Sequence, residues 1–153
     1  MALLRASRSD LRERGFRLYE QARNRSSWNP RTDLDWTQRS SMSLDRQRLA
    51  WEIASQSVYA EQAGLLFASK LLQATNDLPT RFGLATAVSD EAKHTEVFAR
   101  YALRSGQSVA PPLEPVQDLF AGLGELTDPT GAFLVHTFLE GYAAEPLWVS
   151  WRP

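Results

Sequence analysis

The chain contains no cysteine, and this absence removes three classes of site at once. Disulfide bonds, thiolate metal sites and cysteine nucleophiles are excluded, while the redox compartment is left open. Long apolar runs are also missing, because no stretch approaches the ~20 residues that a helix needs to span a bilayer. No strand pattern, internal repeat or low-complexity segment is present either. The sequence therefore predicts an all-α protein.

The charges give no sign of a charged partner. The net charge of −1 gives no reason to expect a nucleic-acid or an anionic membrane partner. The first 25 residues contain seven arginines, but they also contain Asp10, Glu13 and Glu20 and no apolar segment. They are therefore not a secretory signal. We expect a cytoplasmic protein that binds no nucleic acid and no membrane.

The length of 153 residues is enough for one domain with a core and too short for two. Residues 1–43 are predicted to hold a polar helix, about 9–23, and a loop. Trp28 and Trp36 make this loop too apolar for a free linker, so we expect it to be pinned to the bundle. Residues 44–153 are predicted to form the helical domain itself. Its predicted helices cover about 44–75, 80–105, 115–126 and 128–145.

Local signals set the ends of these helices. Asn76-Asp77-Leu78-Pro79 ends the first long helix, and Gly106 closes the second. Asp128 before Pro129 is an N-cap followed by proline at the first helical position, which begins the last helix.

Three polar residues stand on the apolar stripes of the two long helices. Glu91 and His94 are three residues apart, so they are neighbours on one face of the second helix. Glu61 likewise lies on the apolar stripe of the first long helix, which is predicted to run through Ile53, Glu61 and Ala68. Burial of an acid or an imidazole is costly without a partner. These positions therefore predict a site rather than a solvated surface.

The three residues are also expected at one height in the bundle. The turn between the helices centres near Asp77, with Glu61 about 16 residues before it and Glu91 about 14 after it. At ~1.5 Å per residue these two lie within one helical turn of each other. Antiparallel packing would then bring Glu61, Glu91 and His94 together. Small residues around them leave room for something other than side chains: Ser57, Ala60, Gly64, Ala87 and Ala92.

A Glu on one helix and Glu-x-x-His on its neighbour make half of the di-iron carboxylate site of four-helix bundles. Hard carboxylate oxygens neutralise and bridge two iron ions, and imidazole adds a neutral nitrogen donor. Glu140 is a further candidate ligand, because it lies on the apolar face of the predicted last helix. The expected cofactor is iron as a di-iron centre, with manganese as the alternative.

The segment from Glu61 to Phe98, which contains Ser89-Asp90-Glu91-Ala92-Lys93-His94, resembles the ferritin-like di-iron oxidoreductases. These include the ribonucleotide reductase small subunit, bacterial multicomponent monooxygenase hydroxylases and N-oxygenases of aromatic amines. Trp28-Asn29-Pro30 and Asp35-Trp36 resemble the reductase-like branch. The resemblance implies a ferritin-like antiparallel helical bundle that activates dioxygen to oxidise a small organic substrate. In these families Glu61, Glu91, His94 and Glu140 would match metal ligands.

The second Glu-x-x-His of these families has no counterpart here, since only Glu145 follows Glu140 as an acid. The bundle is therefore expected to be incomplete at its C-terminus, or to be completed by another chain in a homodimer. Two alternatives to an oxygenase stay open: an iron-handling ferritin-like dimer with ferroxidase activity, and an inactive truncated bundle. Asp90 is read in two ways, as an acceptor that orients His94 or as an exposed helix charge.

Overall fold

The computed structural model describes residues 7–104, 108–135 and 137, and within this part of the chain every regular element is a helix. These residues form five helices: α1 Arg8–Arg25, α2 Leu44–Ala74, α3 Leu78–Arg104, α4 Glu114–Glu125, and α5, which begins at 129 and is described at 129–135 and 137. The all-α helical bundle expected from the sequence is confirmed. No helix among the described residues is long and apolar enough to cross a membrane.

α2 and α3 form an antiparallel hairpin around which the rest of the chain packs. The three residues 75–77 join them. Asp77 caps α3, because its carboxylate accepts hydrogen bonds from the backbone N–H of Thr80 at 3.1 Å and from its hydroxyl at 2.6 Å. Away from the turn, Gly64 lies beside Glu91 and Glu61 beside His94. Earlier positions on α2 thus meet later positions on α3, as an antiparallel pair requires.

α1 runs parallel to α3 on a different face from α2. Gly15 lies directly against Pro79, so that an added Cβ would be 2.7 Å from the proline Cβ. Further along, the rings of Tyr19 and Phe82 are 5.2 Å apart. α1 itself has no buried residue and is held at its start by a capping box between Ser7 and Asp10. It is therefore a surface helix rather than a fourth core helix.

The segment that follows α3 returns along α2. The Gln56 side chain bonds both Pro111 O and Leu113 N, and Lys70 Nζ donates to Gly124 O at 2.9 Å. α4 therefore runs beside α2 and in the same direction. Asp128 caps α5 as predicted, since its carboxylate accepts from Gly131 N at 2.7 Å.

The core lies between α2, α3 and the start of α5, and it is built from few and mostly small residues. The buried hydrophobic residues are Ala54, Val58, Phe67, Ala68, Leu71, Ala102 and Ala132. The prediction that Ile53 lies on the buried stripe of α2 is wrong: Ile53 is 55% exposed, and its neighbour Ala54 is buried instead.

Apolar side chains are exposed around this small core. Phe133 on α5 is 52% exposed, and the exposed leucines include Leu66 on α2 and Leu103 on α3. Phe98 on α3 is half-buried. Apolar exposure on this scale indicates surfaces that could be covered by more protein.

Candidate metal centre

Three candidate ligands predicted from the sequence converge between α2 and α3. Glu61, Glu91 and His94 each offer one ligand atom, and these atoms all lie within 4.8 Å of one another. His94 Nδ1 is 3.2 Å from Glu61 Oε2 and 3.9 Å from Glu91 Oε2. Ligands that share one ion at ~2.0–2.3 Å are separated by about 3–4.6 Å. The spacing of the three groups therefore fits a single ion, while their role as metal ligands stays a prediction.

The two helices position these groups by simple register. Glu91 and His94 project from adjacent turns of α3 because they are three residues apart. Glu61 meets them from α2 because the short 75–77 turn sets the heights of the two helices. The site is consequently built on two long helices, which hold side chains more accurately than loops do.

Gly64 makes room for the most buried ligand. Glu91 is only 5% exposed. A Cβ built on Gly64 would lie 3.0 Å from both Cδ and Oε1 of Glu91 and 3.1 Å from its Oε2. A larger residue at this position would thus push the carboxylate away. The glycine turns the facing surface of α2 into a cradle for a carboxylate at the level of the site.

The charges of the site are balanced by the imidazole. Hydrogen bonding to Glu61, and then to Glu91, raises the pKa of His94 to about 10. Burial is the main cause that raises the pKa of Glu91. At neutral pH the metal-free site therefore holds a protonated imidazole between two acidic groups. A divalent cation would replace that proton and neutralise the carboxylates more completely.

The loop after α1 packs against the site through Trp28. The Trp28 ring stacks on the His94 imidazole, with centroids 5.9 Å apart and planes inclined by 20°. Lys93 Nζ lies 5.5 Å from the centroid of the Trp28 ring. The same ammonium donates to Ser26 O and Ser26 Oγ, and the Ser26 hydroxyl donates to Asp90. We call Ser26, Trp28, Asp90 and Lys93 the loop clamp.

The loop clamp contradicts both interpretations of Asp90. Its carboxylate accepts from Ser26 and lies 3.3 Å from Lys93 Nζ, so it neither orients His94 nor stands alone on the surface. The expectation that the tryptophan loop is pinned to the bundle is confirmed at Trp28. Sequence reasoning missed that Trp28 contacts a candidate ligand, because no spacing rule connects position 28 with position 94.

Glu140, the fourth candidate ligand, lies outside the described residues. The same holds for His136, the only other histidine of the chain. Within the described part, Glu61, Glu91 and His94 are the one group of three or more such residues that could hold a metal ion.

Comparison with known proteins found no relative of the chain. No protein family, no curated protein and no solved structure matches the chain.

Proposed function

We propose that Glu61, Glu91 and His94 bind iron as half of a ferritin-like di-iron centre. We further propose that the protein is an oxidoreductase which uses dioxygen to oxidise a small organic substrate. The observation that carries the proposal is the buried Glu91 carboxylate, cradled by Gly64 and facing Glu61 and His94 from the neighbouring helix. A carboxylate with a purely structural role would need neither a glycine opposite it, as Gly64 is, nor a second acid beside it, as Glu61 is.

The donor set supports iron or manganese among the metals. Two carboxylates and one imidazole suit borderline and hard divalent ions, and the chain has no thiolate to favour softer ones. Bound ferrous iron supplies the electrons with which dioxygen is reduced. Manganese takes the same ligands, so metal analysis must include both.

The residues of the site differ in their exposure to solvent, and this suggests different roles for them. Glu91 is shielded from water, so its negative charge acts at close range on whatever cation lies beside it. The His94 side chain is 43% exposed, which leaves the site open on that side. Dioxygen and a small substrate would approach there. Trp28 covers one face of the imidazole and limits its rotation.

Two irons need more ligands than these three residues supply. Glu140 of the same chain is the first source we propose, and a second copy of the chain in a homodimer is the other. The exposed Leu66 and Leu103 support an additional protein contact. Replacement of Glu140 by Gln distinguishes the sources, because it should halve the iron content only if Glu140 is a ligand.

The metal site is tested by anaerobic titration of the purified protein with ferrous iron, followed by metal analysis. Glu91→Gln keeps the shape of the side chain and removes its charge. It should weaken binding by more than the roughly 10–100-fold that loss of an outer-shell partner costs. Glu52→Gln is the matched control, since Glu52 is an exposed acid of α2 that pairs with Arg48. Equal iron binding by wild type and Glu91→Gln would refute the site.

Reaction with dioxygen separates the three candidate functions. An oxygenase should consume dioxygen beyond the amount needed to oxidise its own iron once a suitable organic substrate is present. A ferroxidase should consume only the amount set by added ferrous iron, and light scattering should show a dimer. An inactive bundle should hold little iron and consume no dioxygen above a protein-free control.

A further inference from the structure

A cleft lies between α1 and α3, away from the metal centre. Its volume of about 490 Å³ is in the range of small-molecule sites. Ser89 and Lys93 line it, and each is two residues from Glu91. Positions two apart on a helix project in nearly opposite directions. The cleft and the metal centre therefore open on different sides of α3.

One wall of this cleft is aromatic. Tyr19 from α1 and Phe82 from α3 both line it, with ring centroids 5.2 Å apart. Phe82 is 40% exposed although the Phe16 ring also packs beside it, with centroids 6.1 Å apart. The neighbouring Ala85 adds no bulk above the rings. A flat apolar group could therefore stack on Phe82, contact the inclined Tyr19 ring at an angle, and cover surface that is now in contact with water.

The charge of the lining is positive. Arg23 and Lys93 line the cleft, and no acidic residue does. Lys93 is occupied, because it donates to both oxygens of Ser26 and to Asp90. Arg23 lies 5.8 Å from the centroid of Tyr19 and forms no ion pair with any described residue. Its planar guanidinium therefore keeps its donors for a ligand, in a geometry that matches a carboxylate.

We propose that this cleft binds a small aromatic carboxylate. The ring of the ligand stacks on Phe82 and meets at an angle the Tyr19 ring, whose plane is inclined by 44° to that of Phe82. Its carboxylate pairs with Arg23, which lies beside the Tyr19 ring. Ser89 offers a hydroxyl at the rim. The cleft is open to solvent, so the affinity is modest, with a Kd on the order of a millimolar or somewhat below. The proposal does not depend on the metal centre, because no candidate ligand of the metal lines the cleft.

The test uses three probes that separate ring from charge: benzoate, benzyl alcohol and acetate. Binding to the full metal-free chain is measured by ligand-observed NMR titration. Benzoate should saturate and bind at least about tenfold more tightly than either of the other two. If benzyl alcohol binds as tightly as benzoate, the carboxylate does not contribute to binding. If acetate binds as tightly as benzoate, the aromatic ring does not contribute. Either result overturns the proposal.

Variants locate the binding. Arg23→Gln should weaken benzoate at least about fivefold and leave benzyl alcohol unchanged. Arg25→Gln is the matched control, because it removes the same charge from the same helical turn without touching the cleft lining. Phe82→Leu should weaken both aromatic probes. Equal losses in the Arg23 and Arg25 variants would reveal a general effect of surface charge and refute the assignment. All titrations use the metal-free chain, so that failure of the metal site cannot be confused with failure of the cleft.

Discussion

Replacement of Gly64 by alanine should change stability and metal affinity in opposite directions. Gly64 lies inside α2, where alanine is favoured over glycine by about 1 kcal/mol because the glycine backbone loses more freedom on folding. The new Cβ would however lie 3.0 Å from Cδ and Oε1 of Glu91. The variant thus couples a gain in helix propensity to a collision at the site.

The size of the collision sets the expected loss of affinity. An ordinary contact of this kind begins near ~3.4 Å, so the Glu91 carboxylate must move by roughly 0.4 Å. A binding site tolerates displacements of its ligands of only about 0.5 Å before function suffers. We therefore expect metal affinity to fall about tenfold, which corresponds to about 1.4 kcal/mol. The metal-free protein should lose no stability and should gain up to about 1 kcal/mol.

Gly83 provides the matched control. It is also inside a long helix, α3, and a Cβ there would meet no atom within 4 Å. Gly83→Ala should raise the free energy of unfolding by about 1 kcal/mol, which is a rise of roughly 2–4 °C in Tm for a chain of this size. Its metal affinity should equal that of wild type.

The assay combines denaturant unfolding of the metal-free proteins with titration by manganese(II), which avoids oxidation during the measurement. If Gly64→Ala and Gly83→Ala bind the metal equally well, the cradle has no role at the site and the reasoning is refuted. If Gly64→Ala unfolds more easily than wild type, the close approach is structural instead.

The remaining predictions concern His94, Trp28 and Ser55. Because the pKa of His94 is raised to about 10, metal binding near pH 7 should release the imidazole proton. Metal affinity should therefore rise about tenfold per pH unit. Calorimetry in buffers of different ionisation enthalpy would count the released proton. Because that pKa is raised on folding, its contribution to stability is present below about pH 6.5 and is lost towards pH 10, so the Tm of the metal-free protein should fall over that range. A constant Tm and a constant affinity would contradict the ion pair. Trp28→Ala should weaken metal binding several-fold, and Trp28→Phe should restore most of it. Trp36→Phe, at a ring whose indole N–H donates to Pro30 O, should have no effect. Equal losses at both positions would point to the loop as a whole. The Ser55 hydroxyl is fully buried and has no hydrogen-bond partner among the described residues. Ser55→Ala should therefore raise the free energy of unfolding, measured in urea, by about 1 kcal/mol. A lower free energy of unfolding in this variant would reveal a partner.

The helices and the height of the metal centre could be predicted because their causes are local. Asp128 caps α5 with its own side chain, and Asp77 does the same for α3. The limits of α2, α3 and α4 agree with the predicted ones within two residues. The 75–77 turn is so short that the two helices it joins must be antiparallel neighbours. Glu61 and Glu91 then fall at one level whatever the rest of the chain does.

Burial along the first half of α2 could not be read from the same pattern. Ile53 is more apolar than Ala54, and periodicity alone favoured it for the core. In the structure Ile53 is nevertheless 55% exposed, and Ala54 is buried instead. Periodicity identifies a stripe about a third of a helix wide, and the packing of a second helix selects the part of it that is buried.

The sequence by itself thus determined the helical class, the helix limits and the meeting of Glu61, Glu91 and His94, since each depends on contacts between residues close in the chain or joined by a short turn. Only the tertiary structure decided that α1 lies along α3, that the loop clamp seats Trp28 on His94, and that a cationic aromatic cleft forms on the other side of α3. The physical reason is the length of the connection. Residues 26–43 separate α1 from α2 and allow many placements of α1, and the one observed is selected by the packing of Gly15 on Pro79 and by the bonds of Ser26.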